Sequence, residues 1–275
     1  MSLQTEFAPA KLNLALHVTG RRKDGYHLLD SLVVFAGIGD HLRLQPGPLS
    51  LTLDGPFAAG LQPDEDNLCL RAARSMGAEV AIGLTKNLPV ASGIGGGSAD
   101  AAAVLRTLTR MGYGLPDNPE RLGADVPVCL LSAPARMQGV GEIVTPLPAI
   151  PSVPMVLVNP GVAVPTPQVF AAMERRDNPP LPTIPAFSGL DDLVGWLRGT
   201  RNDLQPAACR ICPQIDQVLR ALQDSGAALS RMSGSGATCF GLYDSADAAR
   251  TAADALSGRG WWAVATELAQ PLRRR

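Results

Sequence analysis

Pro89-Val90-Ala91-Ser92-Gly93-Ile94-Gly95-Gly96-Gly97-Ser98-Ala99-Asp100-Ala101-Ala102 joins a run of glycines to an alanine-rich helix start. Each glycine costs roughly 0.5–1 kcal/mol relative to alanine inside a regular element, so Gly93, Gly95, Gly96 and Gly97 together predict a loop. Glycines let a backbone approach a ligand closely, and the first N–H groups of the following helix, unpaired within it, face whatever anion lies ahead. Ser98 is the expected N-cap, with a helix over 99–110 carrying Leu105 and Leu108 on its apolar face. Loop and helix start together predict a phosphate site; a purely structural turn is the competing reading. A Walker-type loop would need Lys then Ser or Thr after its last glycine, and here Ser98 and Ala99 follow Gly97. The dinucleotide fingerprint fails too, because Gly93, Gly95 and Ser98 put serine at its third glycine.

Upstream, Ala10, Leu12, Leu14, Leu16 and Val18 alternate with Lys11, Asn13, Ala15 and His17, the period-2 pattern of a half-buried strand. Lys11 and Asn13 therefore share a face. Only three of the twenty-four basic residues are lysines, Lys11, Lys23 and Lys86; where arginine is the default cation, a lysine on a strand hints at a role guanidinium cannot fill. Short strands are expected at 32–38, 41–44 and 49–53, separated by glycine and proline. A helix is expected at 66–76 and a strand at 78–84 leading into the glycine loop. Irregular chain covers 112–119, and a strand pair 136–144. The proline-rich stretch 146–151 reads as a linker. Beyond it come a strand at 155–158, helices at 166–174, 190–197 and 211–225, a glycine-serine turn at 231–238, a strand at 239–243, a helix at 246–256 and a strand at 261–266. Strands and helices interleave in both halves, which gives an α+β class.

The chain has 275 residues, 46% hydrophobic and 18% charged, with a formal net charge of −1. That balance offers no electrostatic case for nucleic acid or an anionic membrane, and Arg273-Arg274-Arg275 reads as a solvated end. The first ten residues show no signal-peptide pattern and no apolar run is long enough to cross a bilayer, so a cytoplasmic protein is expected. Five scattered cysteines suit a reducing compartment. Cys209-Arg210-Ile211-Cys212 has no second cysteine pair to complete a zinc site and is followed by Pro213, so it reads as small apolar filler near a helix boundary.

Eight short motifs, in order, resemble those of the GHMP kinase superfamily: A-P-A-K-L-N-L at 8–14, D-G-Y-H at 24–27, D-N-L at 66–68, the glycine loop, G-A-D-V-P at 123–127, G-V-G-E at 139–142, V-P-T-P at 164–167 and S-G-S-G-A-T at 233–238. Within that superfamily they resemble the branch acting on 4-diphosphocytidyl-2-C-methyl-D-erythritol. The resemblance implies a two-domain architecture, an N-terminal α/β ATP-binding domain over 1–148 and a C-terminal ferredoxin-like domain over 149–275, with the active site between them. It implies transfer of the γ-phosphoryl group of ATP, with Mg²⁺, to that small-molecule alcohol in non-mevalonate isoprenoid synthesis. Neither nucleic acid nor membrane is expected as a partner.

The resemblance also assigns roles. Asp125 matches a general base and Lys11 the cation that holds it. Asn67 and the stretch Pro89, Val90, Ala91, Ser92, Gly93, Ile94, Gly95, Gly96, Gly97, Ser98 and Ala99 match the ATP site, with Ser98 near magnesium and no metal ligands assigned. Asn13, Tyr26, His27, Thr166 and Phe170 match the acceptor site, Tyr26 and His27 on one side of the cytosine and Phe170 on the other. Read as ordinary structure, Asp125 would be a turn aspartate, the aromatics half-buried packing, and 233–238 a tight turn. A homoserine or mevalonate type of GHMP kinase and a non-catalytic nucleotide-binding module are the alternatives. Compared with the family pattern, 112–122 is short and carries Pro116 and Pro119.

Overall fold

The structure is a computed structural model that describes residues 3–269; the arginine tail lies outside the described residues. Its first sheet is built on two long antiparallel strands, β1 (Gln4–Arg21) and β2 (His27–Pro46), joined by a turn in which Gly25 takes φ 95°. β2 then pairs with β4 (Val80–Thr85), which carries β3 (Ser50–Asp54) parallel on its far side, and with the hairpin β5 (Ala135–Gly139) and β6 (Ile143–Pro146). Helices α1 (Leu68–Ser75), α2 (Gly96–Arg110) and α3 (Val126–Leu131) pack on this sheet around one apolar cluster that includes Leu42, Ile82, Leu105 and Val128.

The second sheet has strand order β10-β7-β9-β8, all neighbours antiparallel, from β7 (Pro154–Asn159), β8 (Leu229–Met232), β9 (Cys239–Leu242) and β10 (Trp262–Glu267). That is the ferredoxin-like order. Helices α4 (Thr166–Ala171), α5 (Leu190–Arg198), α6 (Gln205–Ile211) and α7 (Gln214–Asp224) lie between β7 and β8, and α8 (Ala246–Ser257) between β9 and β10. The architecture is α+β with two sheets.

Four expectations fail for identifiable reasons. The segments 32–38 and 41–44 belong to one strand, because Gly39 is not a break: a Cβ there would lie 2.2 Å from the Ala8 carbonyl oxygen, and glycine lets β1 close up beside its bulge between Pro9 and Lys11. β1 is buried on both faces from Ala8 to Val18, since Ala10, Leu12 and Leu14 pack against Leu157, Leu193 and Phe240 of the second half. The expected helix at 211–225 is two helices, α6 and α7, because Pro213 has no N–H and forces Cys212 out of helical geometry. The turn expected at 231–238 yields Arg231 and Met232 to the short strand β8, which has no alternation long enough to read.

Candidate active site

An open cleft of about 1060 Å³ runs between the halves, lined by β1, the 25–27 turn, the glycine loop, Asp125, α4 and the 233–238 turn. The helix of the glycine loop starts earlier than its sequence suggests. Gly95, at φ 63°, is the N-cap, so Gly96 and Gly97 form the first helical turn and Ser98 sits inside it, lining the cleft rather than capping. The Ala99 N–H already bonds the Gly95 carbonyl at 2.8 Å, which leaves the amides of Gly96, Gly97 and Ser98 unpaired within the helix. Glycine is needed here for contact as well as conformation: a Cβ on Gly95 would come 3.0 Å from Lys11 Cε, and one on Gly96 3.0 Å from Lys86 Nζ.

The two glycine turns interlock. Gly93 has φ 79° and a Cβ there would lie 2.6 Å from the Ser233 carbonyl, while a Cβ on Gly234 would lie 2.7 Å from the Gly93 carbonyl. The Ser233 hydroxyl donates to Gly93 O at 3.0 Å and accepts from the Asn13 N–H at 3.1 Å, and Thr238 N–H donates to Ser92 O at 3.0 Å. The second turn thus braces the first against β1. Of the loop side chains, Ile94 and Ala99 are core residues, and Ile94 contributes a carbonyl that accepts from the Lys11 N–H at 2.9 Å. Ser92 donates to the Pro89 carbonyl at 2.6 Å.

Opposite the loop, Lys11 Nζ lies 2.9 Å from Asp125 Oδ2, with the lysine buried and the carboxylate 30% exposed. Asp125 stands immediately before α3, so the short 112–122 stretch still delivers it to the cleft. Lys11 Nζ also donates to Asn13 Oδ1 at 2.9 Å, and Asn13 Nδ2 to Ser31 Oγ at 2.7 Å, whose hydroxyl in turn donates to the Ala15 carbonyl at 2.6 Å. This chain fixes the ammonium in one position. Arg106 ties together the segments that carry the pair: it donates to Glu6 Oε1 and the Phe7 carbonyl ahead of Lys11, and to the Cys129 carbonyl and Ser132 hydroxyl at the end of α3.

At the far end, His27 stacks on Phe170 with centroids 4.6 Å apart and 21° between planes. The two rings form one aromatic wall of the cleft, and Tyr26, from the same turn as His27 and 60% exposed, lines the cleft as well. Burial lowers the His27 pKa, with Arg21 and Arg176 adding to the effect. Thr166 and Ser235 hydroxyls bond each other at 2.6 Å and line the same cleft.

Asn67 caps α1 by accepting from Cys69 N–H at 3.0 Å. It lines a smaller cavity of about 210 Å³ with Pro89, Val90, Ala91 and Leu61, which shares Gly96 and Gly97 with the lining of the main cleft. Beneath that cavity lies a group the sequence reading passed over: Lys86, buried between Asp40 and Asp100, with Nζ 2.7 Å from Asp100 Oδ2 and bonded also to Asp40. Asp100 is pushed up to about 7 by burial; Lys86 opposes the rise and Asp40 adds to it. The scarcity of lysine that draws attention to Lys11 applied equally to Lys86, and a lone aspartate within an alanine run was a second signal. Asp40 itself accepts from the Asn87 and Leu88 N–H groups, fastening the chain that leads into the loop.

Among the described residues, no cluster of three or more His, Cys, Asp or Glu could hold a metal ion, no helix is long and apolar enough to cross a membrane, and Cys209 and Cys212 are free thiols, the first in α6 and the second at its end.

The family "GHMP kinases N terminal domain" matches residues 67–132 and "GHMP kinases C terminal" residues 184–260. A 4-diphosphocytidyl-2-C-methyl-D-erythritol kinase of Paracoccus denitrificans is 60% identical over 96% of both chains, and one of Dinoroseobacter shibae is 54% identical over 95% of this chain and 94% of the relative. A crystal structure of a 4-(cytidine 5'-diphospho)-2C-methyl-D-erythritol kinase superposes with a TM-score of 0.78 at 38% identity, covering 96% of this chain and 99% of that one.

Proposed function

Because the chain belongs to the 4-diphosphocytidyl-2-C-methyl-D-erythritol kinase family of the GHMP kinases, we propose that it transfers the γ-phosphoryl group of ATP to the 2-hydroxyl of 4-diphosphocytidyl-2-C-methyl-D-erythritol, yielding ADP and the 2-phosphate. The observation that carries this reading is the Lys11–Asp125 pair set against the free amides of a helix start in one cleft. Phosphoryl transfer rests on in-line positioning and on neutralising charge over the transferred oxygens. The triphosphate lies over Gly96, Gly97 and Ser98, and the adenine enters the smaller cavity beside Asn67. The cytosine packs on the His27–Phe170 wall under Tyr26, with Thr166 close to the same ligand. The acceptor hydroxyl then meets Asp125, whose carboxylate takes its proton as the O–P bond forms, while the fixed Lys11 ammonium offsets the developing negative charge. A positioned general base of this kind contributes about 10²–10⁴ in rate.

Magnesium fits this site as a companion of the nucleotide rather than as an ion in a protein cage, since it keeps water and phosphate oxygens as most of its ligands. Ser98 is the residue whose hydroxyl would join that shell, and the ion would supply further neutralisation of phosphate charge. The five unpaired cysteines support a cytoplasmic location. Small acceptors such as homoserine or mevalonate would leave the aromatic wall and Tyr26 without a role, and a non-catalytic module would have no use for a fixed lysine–carboxylate pair.

The test is an assay of the purified chain with ATP, Mg²⁺ and 4-diphosphocytidyl-2-C-methyl-D-erythritol, following ADP and product mass, with homoserine and mevalonate alongside. Gain of one phosphoryl group by the cytidyl compound alone is expected. Turnover of another alcohol instead would discard the acceptor assignment.

A further inference from the structure

The ionisable residues lining the main cleft do not balance. Lys11 and Asp125 neutralise each other, which leaves Arg21 and Arg176 as cations beside the half-buried imidazole of His27. Their sequence neighbours are paired, Arg22 with Asp24 and Arg175 with Asp177, yet among the described residues neither Arg21 nor Arg176 makes an ion pair. Arg21 spends its Nε on the Gly25 carbonyl at 3.1 Å, within the turn that presents Tyr26 and His27. Arg176 donates from Nη2 to the Ala171 carbonyl at 3.0 Å and to that of Phe170, so it is held at the end of α4, where it lines the cleft. Its Nε is buried with no hydrogen-bond partner among the described residues, and so is Nε2 of His27. Both guanidinium groups are close enough to His27 to help disfavour its cationic form.

The two unsatisfied buried nitrogens are costly in the empty protein, and two guanidinium groups without a carboxylate partner give that part of the cleft a positive potential that favours an arriving anion. The glycine loop, at the other end, already provides for the phosphates of the donor. Resting on the reading that the acceptor is a cytidine diphosphate ester, we propose that Arg21 and Arg176 determine acceptor specificity by binding its diphosphate bridge, forming a second anion site separate from the glycine loop. Guanidinium suits the task because its planar fork bonds phosphate oxygens in pairs. A neutral nucleoside gains nothing from these two residues.

Calorimetric titration of the full-length protein with CDP and with cytidine separates charge recognition from base packing. Wild-type protein should bind CDP far more tightly than cytidine. Arg21→Gln and Arg176→Gln should each weaken CDP by about tenfold or more while leaving cytidine within about twofold, and Arg176→Lys should recover part of the loss. Arg21 is exposed, so its variant keeps the test informative should Arg176→Gln disturb α4. Equal losses for CDP and cytidine, or unchanged CDP affinity in both variants, would overturn the assignment of the arginines while leaving the cytidine site intact. Wild-type protein that binds neither compound would overturn the reading of the cleft on which the proposal rests.

Discussion

Replacing Asp100 with asparagine should make the protein more stable, and increasingly so as pH rises. One buried lysine faces two buried carboxylates, Asp40 and Asp100, so one negative charge of the three-residue group lacks a counter-charge. Burial, reinforced by Asp40 and opposed by Lys86, raises Asp100 from 3.8 to about 7. A folded-state value above the unfolded one means the native protein holds an extra proton. The associated stability is complete below the unfolded value and is lost as pH rises through the folded one, at about 1.4 kcal/mol per pH unit between them. From about pH 5 to pH 7, where half of the native molecules still hold the proton, the wild type therefore loses about 2 kcal/mol through this group, which at about 2–4 °C per kcal/mol is roughly 4–8 °C in Tm. Asparagine keeps the shape of the neutral carboxyl: its oxygen accepts from Lys86 and its amide can donate to Asp40. Differential scanning calorimetry of both proteins across this range should show the variant's advantage widening by that amount. Melting temperatures that stay parallel would mean that Asp100 is ionised throughout and that the charge account is wrong. The opposite perturbation, Lys86→Met, strands both carboxylates and should cost about 3–5 kcal/mol.

Tyr26→Ala should raise KM for the cytidyl acceptor by about tenfold or more, in line with roughly 1–3 kcal/mol for stacking on one base, with kcat little changed in steady-state kinetics; unchanged KM would remove Tyr26 from the acceptor site. Gly93→Ala should destabilise the protein by more than Gly77→Ala. Both glycines have positive φ and share a left-handed cost of about 1–2 kcal/mol, but a Cβ at Gly77 meets nothing within 4 Å, whereas one at Gly93 runs into the 233–236 turn. Equal loss of Tm in the two variants would deny the interlock between the glycine turns.

The parts of the site written in local pattern were legible in the sequence. Alternation placed Lys11 and Asn13 on one strand face, and the 2.9 Å bond between them follows from it. The glycine run announced a loop and a helix start, and α1 was announced two residues before its observed first residue, Leu68. What escaped depends on contacts distant in sequence. Glycine at position 39 reads as a break unless the approach of Ala8 is known, and Gly95 reads as loop rather than cap unless its left-handed backbone is seen. The stacking of His27 on Phe170 joins residues 143 positions apart, beyond the reach of any local pattern. Lys86, Asp40 and Asp100 come from the residue after β4, the body of β2 and the first turns of α2, so no spacing in the chain marks them as one group.

Asp125→Asn, assayed for both ligand affinities and single-turnover rate, is the most direct measure of the proposed chemistry. Asparagine keeps the size and much of the hydrogen bonding of the side chain but cannot take the acceptor's proton. ATP and the cytidyl alcohol should still bind within a few-fold of wild type, while the rate of phosphoryl transfer falls by about 10²–10⁴. A transfer rate close to wild type with both ligands bound would contradict the assignment of Asp125 as the base and, with it, the account of how the Lys11–Asp125 pair works.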